Sequence, residues 1–354
     1  MWDEVFFMRM IAYLLLLVSL LLIGCGAEES AVVESPLPVS AETPIETSGT
    51  VYYVDQLGQP DFVIAALDMT TNERSVFFDI PEDSWVYEID ASDANNQLAF
   101  SYTPPPPTER ETQLFDRIGI YSLPLDQPDA EPQPVVVPTQ KNEFFYDPIW
   151  TPDGKSLVYA HYIVIENNTQ NYELTVEKFD LDTGTTTVLA QNGFWPHVSP
   201  DGSQVTYLDI NFENQNRSLW IVDANSENAR ELVPTGTFGD LDTPIFSPDG
   251  EWIYFVTIPK QEEASWWDRL TGVRTAEAHG NHNTPGDWYR VPVAGGTPEQ
   301  VTGESVIMLY GAFGPNDNIF GYATNEGLYL LDRAANSYEL RYESRSFRNF
   351  TWGK

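Results

Sequence analysis

The chain has 354 residues, of which 53 are Asp or Glu and 18 are Lys or Arg, and its formal net charge at pH 7 is −35. This charge excludes binding of nucleic-acid phosphates as a main activity, because affinity of that kind depends on cationic contacts. It also disfavours adsorption to anionic lipid headgroups. Solubility in an exposed or salty environment is the plainest interpretation of the acidic composition.

The first element along the chain is an apolar run of thirteen residues, 11–23. The run is shorter than a transmembrane helix requires and is typical of the apolar region of a signal peptide. It ends in Leu-Ile-Gly-Cys at 22–25, which resembles the lipobox of bacterial lipoproteins. The resemblance implies that residues 1–24 are a cleaved signal peptide and that Cys25, the single cysteine, is acylated. The acidic residues before the run leave Met8 and Met10 open as alternatives to Met1 for the natural start.

Residues 27–49 are rich in Glu, Ser and Pro and carry few large apolar side chains. A segment of this composition buries too little surface to offset the entropy of ordering it. The sequence therefore predicts that 25–49 is a lipidated cysteine followed by a disordered tether. Residues 50–354 are long enough to form one large β domain.

A five-residue motif recurs in this domain, as Trp-Thr-Pro-Asp-Gly at 150–154, Val-Ser-Pro-Asp-Gly at 198–202 and Phe-Ser-Pro-Asp-Gly at 246–250. The first three motif prolines lie 48 residues apart, and a weaker copy at 313–317 follows after 67. Proline presets φ, Asp hydrogen-bonds nearby backbone and Gly accepts a positive φ, so each motif predicts a tight turn. Strand-like segments rich in β-branched and aromatic residues follow each turn. Four strands at such a period are typical of a β-propeller blade.

The two ends of the domain complete the ring. A degenerate motif at 92–95 gives a fifth inner turn, and the strands from residue 51 onward form a blade that lacks its innermost strand. The last apolar segment, 347–352, lies where that strand belongs. The sequence therefore predicts an all-β, six-bladed propeller of four-stranded blades, closed by its C-terminal strand in the velcro manner.

The repeats resemble the β-propellers of the TolB family and of dipeptidyl peptidase IV-like proteins, most clearly over residues 140–340. TolB proteins carry an α/β domain before the propeller, and the peptidases carry a hydrolase domain after it. Neither is recognised in this chain, nor is the Gly-x-Ser-x-Gly motif of a hydrolase nucleophile. The resemblance therefore implies a stand-alone, non-catalytic binding propeller.

Propeller topology predicts which loops share a face. If the inner strands run from top to bottom, the Pro-Asp-Gly turns lie at the bottom and the loops between second and third strands lie at the top. The long insertions all belong to the second class: Thr103–Gln113, Val164–Tyr172, Asn211–Arg217 and Lys260–Asp287. Loops on a rigid scaffold commonly carry recognition, so the top is the predicted binding face.

Aromatic residues are frequent near these top loops, and Trp and Tyr favour interfaces because they combine a large apolar area with a polar tip. Packing between blades is the alternative role for those beside inner strands, and packing of a lid is the alternative for those in the 260–287 insertion. The candidate ligand contacts are Trp85, Tyr146, Trp195, Trp266, Trp267 and Trp288.

His279 and His282 are weak candidates for metal ligands, since both lie in the same insertion. A metal site needs further ligands, and no spacing in the sequence demands them. Solvated loop histidines are the alternative, and neither a metal nor a cofactor is expected.

The predicted function is a membrane-tethered binding or scaffold propeller that recognises an envelope protein, peptide or glycan through its top face. One alternative is an enzyme, such as a propeller-type polysaccharide lyase or glycosidase. Another is an envelope-complex assembly factor, by analogy with TolB. The protein is expected to be a monomer that does not bind nucleic acid, anchored at Cys25 on the periplasmic or outer face of a bacterial cell membrane.

Overall fold

The computed structural model describes residues 36–56, 62–106, 117–128, 130–165, 172–211, 216–258, 285–303 and 305–353. Their regular structure consists of 25 β-strands in six sheets. No helix long and apolar enough to cross a membrane occurs in these ranges. The predicted signal peptide, 1–24, and Cys25 lie outside them.

Each of the first three blades has four strands, and the first-named strand of each lies next to the central channel. Blade 1 comprises β25 (Phe347–Gly353), β2 (Thr50–Gln56), β3 (Phe62–Asp68) and β4 (Arg74–Asp79). Blade 2 comprises β5 (Trp85–Ser92), β6 (Gln97–Thr103), β7 (Gly119–Pro124) and β8 (Gln133–Val136). Blade 3 comprises β9 (Glu143–Trp150), β10 (Ser156–Val164), β11 (Tyr172–Asp180) and β12 (Thr185–Gln191).

The other three blades follow the same order. Blade 4 comprises β13 (Gly193–Val198), β14 (Gln204–Asn211), β15 (Asn216–Asp223) and β16 (Arg230–Val233). Blade 5 comprises β17 (Asp240–Phe246), β18 (Trp252–Ile258), β19 (Asp287–Pro292) and β20 (Glu299–Gln300). Blade 6 comprises β21 (Met308–Phe313), β22 (Ile319–Thr324), β23 (Gly327–Asp332) and β24 (Ser337–Glu343), with β1 (Val39–Ser40) added outside.

This arrangement confirms the six-bladed propeller and its closure. In blade 1, the C-terminal β25 pairs antiparallel with β2, from Thr50 opposite Gly353 to Asp55 opposite Phe347. The ring of Tyr53 stacks on that of Phe347 with centroids 4.1 Å apart. One sheet thus joins the two ends of the domain, as the sequence predicted.

The core lies between the blades. A second strand such as β22 is buried along its whole length, because a neighbouring blade covers each of its faces. The outer β12 is mostly exposed and begins with three threonines. The difference explains why the second strands read as continuous apolar runs and the outer strands as polar segments.

The Pro-Asp-Gly motifs form the predicted turns. In the first of them, the hydroxyl of Thr151 donates to the Asp153 carboxylate at 2.7 Å, and the same carboxylate oxygen accepts the backbone N–H of Lys155 at 3.1 Å. Gly154 has a φ of 68°, in the left-handed region that favours glycine. The side-chain amide of Asn95 in the turn of blade 2 donates to the Gly154 carbonyl at 2.8 Å, so these turns lie at one end of the disc. We call this end the bottom and the opposite end the top.

Every inner strand has a register shift against its neighbour, which indicates a β-bulge. In three blades, a proline follows a residue with positive φ at the bulge: Asp147 with a φ of 55°, Trp195 with 48° and Thr243 with 44°. Such backbone is uncommon outside glycine and concentrates at functional sites. The bulges redirect these three side chains where the inner strands surround the central channel.

The predicted disorder of 25–49 is wrong for residues 36–49. The N–H of Ala41 donates to the carbonyl of Tyr338 at 2.8 Å, and β1 pairs in parallel with β24. Ile45 is buried in the core between blades 6 and 1. Its N–H donates to the Glu339 carboxylate at 3.0 Å, and its carbonyl accepts from the Arg341 guanidinium. A single buried isoleucine and an added strand therefore order a segment that its composition alone marks as disordered.

Candidate binding site on the top face

The central channel holds a cavity of about 300 Å³ lined by all six inner strands. Each inner strand is the edge of its sheet, so the N–H groups on its channel side have no partner within the sheet and need one elsewhere. Side chains of the preceding blade accept several of them. Asp90 accepts from Trp150 at 2.8 Å, and His197 Nδ1 accepts from Phe246 at 3.3 Å. These bonds join adjacent blades and give the polar channel residues a structural role.

Burial shifts the ionisation of these channel groups. Desolvation raises the pKa of Asp90 to about 7, although hydrogen bonds from Trp150 and Thr351 oppose the rise. Desolvation lowers the pKa of His197 to about 4. His197 is therefore neutral near pH 7, which suits its acceptance of a backbone N–H.

A second cavity of about 500 Å³ lies between the top ends of blades 3 and 4 and borders blade 2. Its walls are aromatic and its inner end, shared with the central channel, is acidic. We call it the aromatic cup and define it by Phe144, Tyr146, Tyr162, Tyr172, Phe194, Trp195, Glu88, Asp147 and Arg217.

The rings of the cup support one another. Tyr146 meets Tyr162 edge-on with centroids 5.6 Å apart, and Tyr162 stacks on Tyr172 at 6.0 Å. Phe194 and Trp195 lie 4.8 Å apart. Phe194 is buried, whereas Tyr146, Tyr172 and Trp195 are half-buried. The cup therefore presents partly open aromatic surface on a rigid frame.

The alternation of β9 accounts for part of this wall. Phe144 and Tyr146 are two residues apart and reach the cup together. Phe145, between them, points the other way and stacks on His161 with ring centres 4.5 Å apart. The bulge that follows then brings Asp147 to the inner end of the cup.

Two carboxyl groups, Glu88 and Asp147, lie at that inner end. Burial raises the pKa of Asp147 well above its usual range, and the charges of Glu88 and Asp242 raise it further. The N–H of Trp195 donates to the Asp147 carboxylate at 3.3 Å and partly opposes these effects. Because several carboxyl groups lie close together there, a positive charge at the inner end of the cup would be favourable.

Arg217 forms the opposite edge of the cup. Its guanidinium lies over the rings of Phe194 and Trp195, 5.3 and 5.1 Å from their centres. It also pairs with the Asp240 carboxylate at 3.3 Å and donates to the Leu241 carbonyl at 3.0 Å. The walls therefore already hold one cation on aromatic faces, with its charge balanced by Asp240.

A separate polar cluster lies on the other side of β9. His161 Nδ1 is 3.0 Å from a Glu177 oxygen, and its Nε2 is 3.1 Å from a Glu143 oxygen. Burial alone would lower the pKa of His161, but the bonds and charges of Glu177 and Glu143 raise it. Burial opposes ionisation of both carboxyls, yet hydrogen bonds lower the pKa of each: from Thr139 and Gln140 to Glu143, and from His161 to Glu177. We call these three residues the His161 cluster.

The structure brings two of the predicted contact residues together, because Tyr146 and Trp195 both line the cup. Trp85 lies at the top of blade 2, its ring 5.0 Å from that of Phe62, and is not part of the cup. Trp288 departs from the prediction, since its side chain is fully buried and packs edge-on against Phe320 at 4.8 Å. Its role is packing between blades 5 and 6.

The remaining candidates lie outside the described residues: Trp266, Trp267, His279, His282 and Cys25. Within the described ranges, no group of three or more His, Cys, Asp or Glu side chains is arranged to hold a metal ion.

Sequence reasoning missed several members of the cup, chiefly Glu88, Asp147, Tyr162, Tyr172 and Arg217. Tyr162 and Tyr172 flank one of the predicted top insertions, at the end of β10 and the start of β11. That position was the available signal for the two tyrosines. The two acids and the arginine come from three different blades, and no local pattern joins them.

No protein-family model matches the chain. Dipeptidyl-peptidase 5 of Porphyromonas gingivalis is 23% identical over 210 residues, which are 51% of this chain and 30% of that protein. An uncharacterized protein of Agrobacterium fabrum is 30% identical over 115 residues, which are 32% of this chain and 37% of that protein. The chain therefore spans about a third of the length of the two curated relatives.

Among solved structures, TolB from Acinetobacter baumannii superposes with a TM-score of 0.62 at 16% identity. The superposition covers 87% of this chain and 67% of that one. Together with the peptidase relative, it confirms the predicted resemblance to TolB and dipeptidyl-peptidase propellers. At this identity the structural likeness concerns the fold.

Proposed function

We infer that the protein is a binding propeller, tethered to a bacterial membrane at Cys25, that recognises an envelope protein, peptide or glycan at its top face. The observation that carries this function is the aromatic cup. Half-buried Tyr and Trp side chains on a rigid frame are typical of recognition sites, because they bury much area at little cost in side-chain entropy. We propose a non-catalytic role, in which the cup and the neighbouring top loops form the contact surface.

The position of the N-terminal segment supports an outward-facing cup. The carbonyl of Pro36 accepts the side-chain amide of Asn336, in the bottom turn between β23 and β24. The chain thus reaches the propeller at the bottom of blade 6. Ten residues lie between Cys25 and Pro36, and even a fully extended chain over this stretch spans only about 40 Å. A lipid at Cys25 then holds the bottom towards the membrane and leaves the top open to partners.

The test is affinity capture from cross-linked bacterial envelope extract, with the detergent-extracted full chain as bait. Tyr172→Ala removes a half-buried wall of the cup. Trp252→Ala is the matched control, because Trp252 is also half-buried and lies against an arginine, Arg290, but at the bottom of blade 5. We expect a partner that the control retains and the Tyr172 variant loses, with circular dichroism unchanged in both.

Equal capture by both variants would contradict a site in the cup. Deletion of 260–284, which leaves β19 intact, then tests the insertion between β18 and β19, and capture that survives this deletion as well would contradict recognition at the top face.

A further inference from the structure

We propose that the aromatic cup binds the side-chain ammonium of a lysine presented by a protein or peptide partner. This inference rests on the proposed function and names the chemistry of its ligand. Three features of the cup carry it: aromatic walls, two carboxyl groups at the inner end, and an arginine already seated on two of the rings.

The walls suit the stem of a lysine. The rings of Tyr146, Tyr162 and Tyr172 form a continuous contact series, with neighbouring centroids 5.6 and 6.0 Å apart. The faces and edges of such rings bury methylene groups, and their faces attract a cation within about 6 Å of the centre. A lysine has four methylenes before its ammonium, so it can lie along the walls and reach the inner end.

The inner end suits the charge of a lysine. Glu88 and Asp147 come from adjacent inner strands, β5 and β9, and meet where the cup joins the channel. Asp147 is 8% exposed. An ammonium between these groups relieves the repulsion between their charges, and it supplies three donors to their oxygens.

Arg217 shows that the site accommodates a cation on its rings. Asp240 lies 3.3 Å from its guanidinium and offsets its charge. The two carboxyls at the inner end therefore still leave the cup negative when they are ionised. Arg217 stands over Phe194 and Trp195, which leaves the tyrosine wall for the incoming side chain.

The net charge of the whole chain, −35, also favours a cationic ligand, and it acts at longer range than the carboxyls of the cup. It concentrates cationic partners and repels anionic ones, and this effect weakens as salt is added. An amino sugar also carries an ammonium, but it has no apolar stem and its hydroxyls need polar partners. Mostly aromatic walls therefore favour lysine over an amino sugar.

The experiment is saturation-transfer NMR on the detergent-extracted full chain with Nα-acetyl-lysine-N-methylamide as the probe. We expect saturable binding with a Kd of about 1 mM, as suits so small a ligand. The Nε-acetylated probe keeps the stem and loses the charge, and glucosamine keeps the charge and loses the stem. Each is expected to bind at least about fivefold more weakly. These comparisons use only the unaltered protein.

Two variants test whether the probe binds in the cup. Glu88→Gln removes one charge at the inner end of the cup, and Asp182→Asn removes one charge from the exposed bottom turn of blade 3. We expect the first to weaken the lysine probe about tenfold and the second to leave it unchanged. Equal binding of the charged and the acetylated probe, tighter binding of glucosamine, or equal loss in both variants would overturn the proposal.

The outcomes separate this inference from the proposed function. Partner capture that depends on Tyr172, without any binding of the lysine probe, would overturn the ligand chemistry and leave the function standing. Probe binding that depends on Glu88, with partner capture unaffected by the cup, would uphold the chemistry and overturn the function proposed for the site.

Discussion

Two acidic regions of blade 3 begin from the same strand and behave in opposite ways. Glu143 and Asp147 are four residues apart on β9, and both are buried. Glu143 belongs to the His161 cluster, and its pKa is lowered by the backbone and side-chain groups that hydrogen-bond to it. Asp147 lies at the inner end of the cup, and burial and neighbouring acids raise its pKa. A buried carboxyl that faces hydrogen-bond donors and a histidine is held ionised, whereas one that faces other carboxyls favours an added cation.

Removal of His161 tests the structural side of this comparison. His161→Ala leaves Glu143 and Glu177 facing each other without a cation, and we expect the free energy of unfolding at pH 6 to fall by about 3 kcal/mol. Urea denaturation measures it. The control is the triple change of all three residues to Gln, which removes the charges together and is expected to cost less. A loss below about 1 kcal/mol for His161→Ala would show that the cluster is not a buried ion-pair system.

Substitution of Asp147, on the side that faces the ligand, is expected to change ligand affinity instead of stability, and by a smaller free energy. Asp147→Asn keeps an acceptor for the Trp195 N–H and removes the carboxyl that can ionise to pair with a bound ammonium, so we expect about tenfold weaker binding of the lysine probe, or about 1.4 kcal/mol. Stability at pH 6 is expected to stay constant or to rise. A large loss of stability with unchanged probe affinity would mean that Asp147 is a structural residue, like Glu143.

Both regions make stability fall as pH rises, His161 by losing a favourable contribution and Asp147 by gaining an unfavourable one. The raised pKa of His161 means that its contribution is complete below about pH 6.5 and is lost as pH rises through the folded value. The raised pKa of Asp147 means that the unfolded state loses this proton more readily than the folded state, so stability falls as pH rises above about 4. Urea denaturation between pH 5 and 9 should therefore show the cost of His161→Gln shrinking with pH, and the benefit of Asp147→Asn growing. A cost of His161→Gln that does not shrink as pH rises, or a benefit of Asp147→Asn that does not grow, would contradict the role given to that residue.

Removal of the Thr175 hydroxyl tests one hydrogen bond of the His161 cluster. The Thr175 hydroxyl donates to the Glu177 carboxylate at 2.9 Å. Thr175→Val keeps the shape and removes this donor, so we expect a loss of about 1 kcal/mol in the free energy of unfolding. Thr183→Val, in an exposed turn, is the control and should cost less. An equal loss in both variants would show that the bond to Glu177 adds nothing specific.

The ring of blades was predictable because the Pro-Asp-Gly turns have chemistry that is local to the sequence. Gly154, Gly202 and Gly250 all take the positive φ that the motif predicts. The closure was predictable as well, since one end of the domain lacked a strand and the other end supplied it. The turns depend on residues that are close together along the chain, whereas the closure follows from the count of strands at the two ends of the domain.

The cup was predictable only in part. Tyr146 and Trp195 were identified because they flank inner strands near the top loops. The acids were not, because Glu88 and Asp147 meet only when blades 2 and 3 stand side by side. Trp288 was misassigned, since its sequence neighbourhood resembles that of a loop aromatic while a neighbouring blade covers it. The segment 36–49 was misassigned because the overall composition is polar, and one apolar residue, Ile45, is enough to anchor the segment in the core.

That N-terminal segment has a mechanical consequence. A pull on the chain from the bottom of the disc runs along β1 and stresses its hydrogen bonds to β24 in shear, so that they share the load instead of opening one by one. Beyond β1, the load passes to two hydrogen bonds. The Arg341 guanidinium donates to the Ile45 carbonyl, and the indole N–H of Trp352 donates to the Ser48 carbonyl at 3.0 Å. Trp352 belongs to the strand that closes the ring, so tension is spread across the seam before it reaches β2. The seam is thus reinforced where traction on the chain would otherwise begin to unzip it.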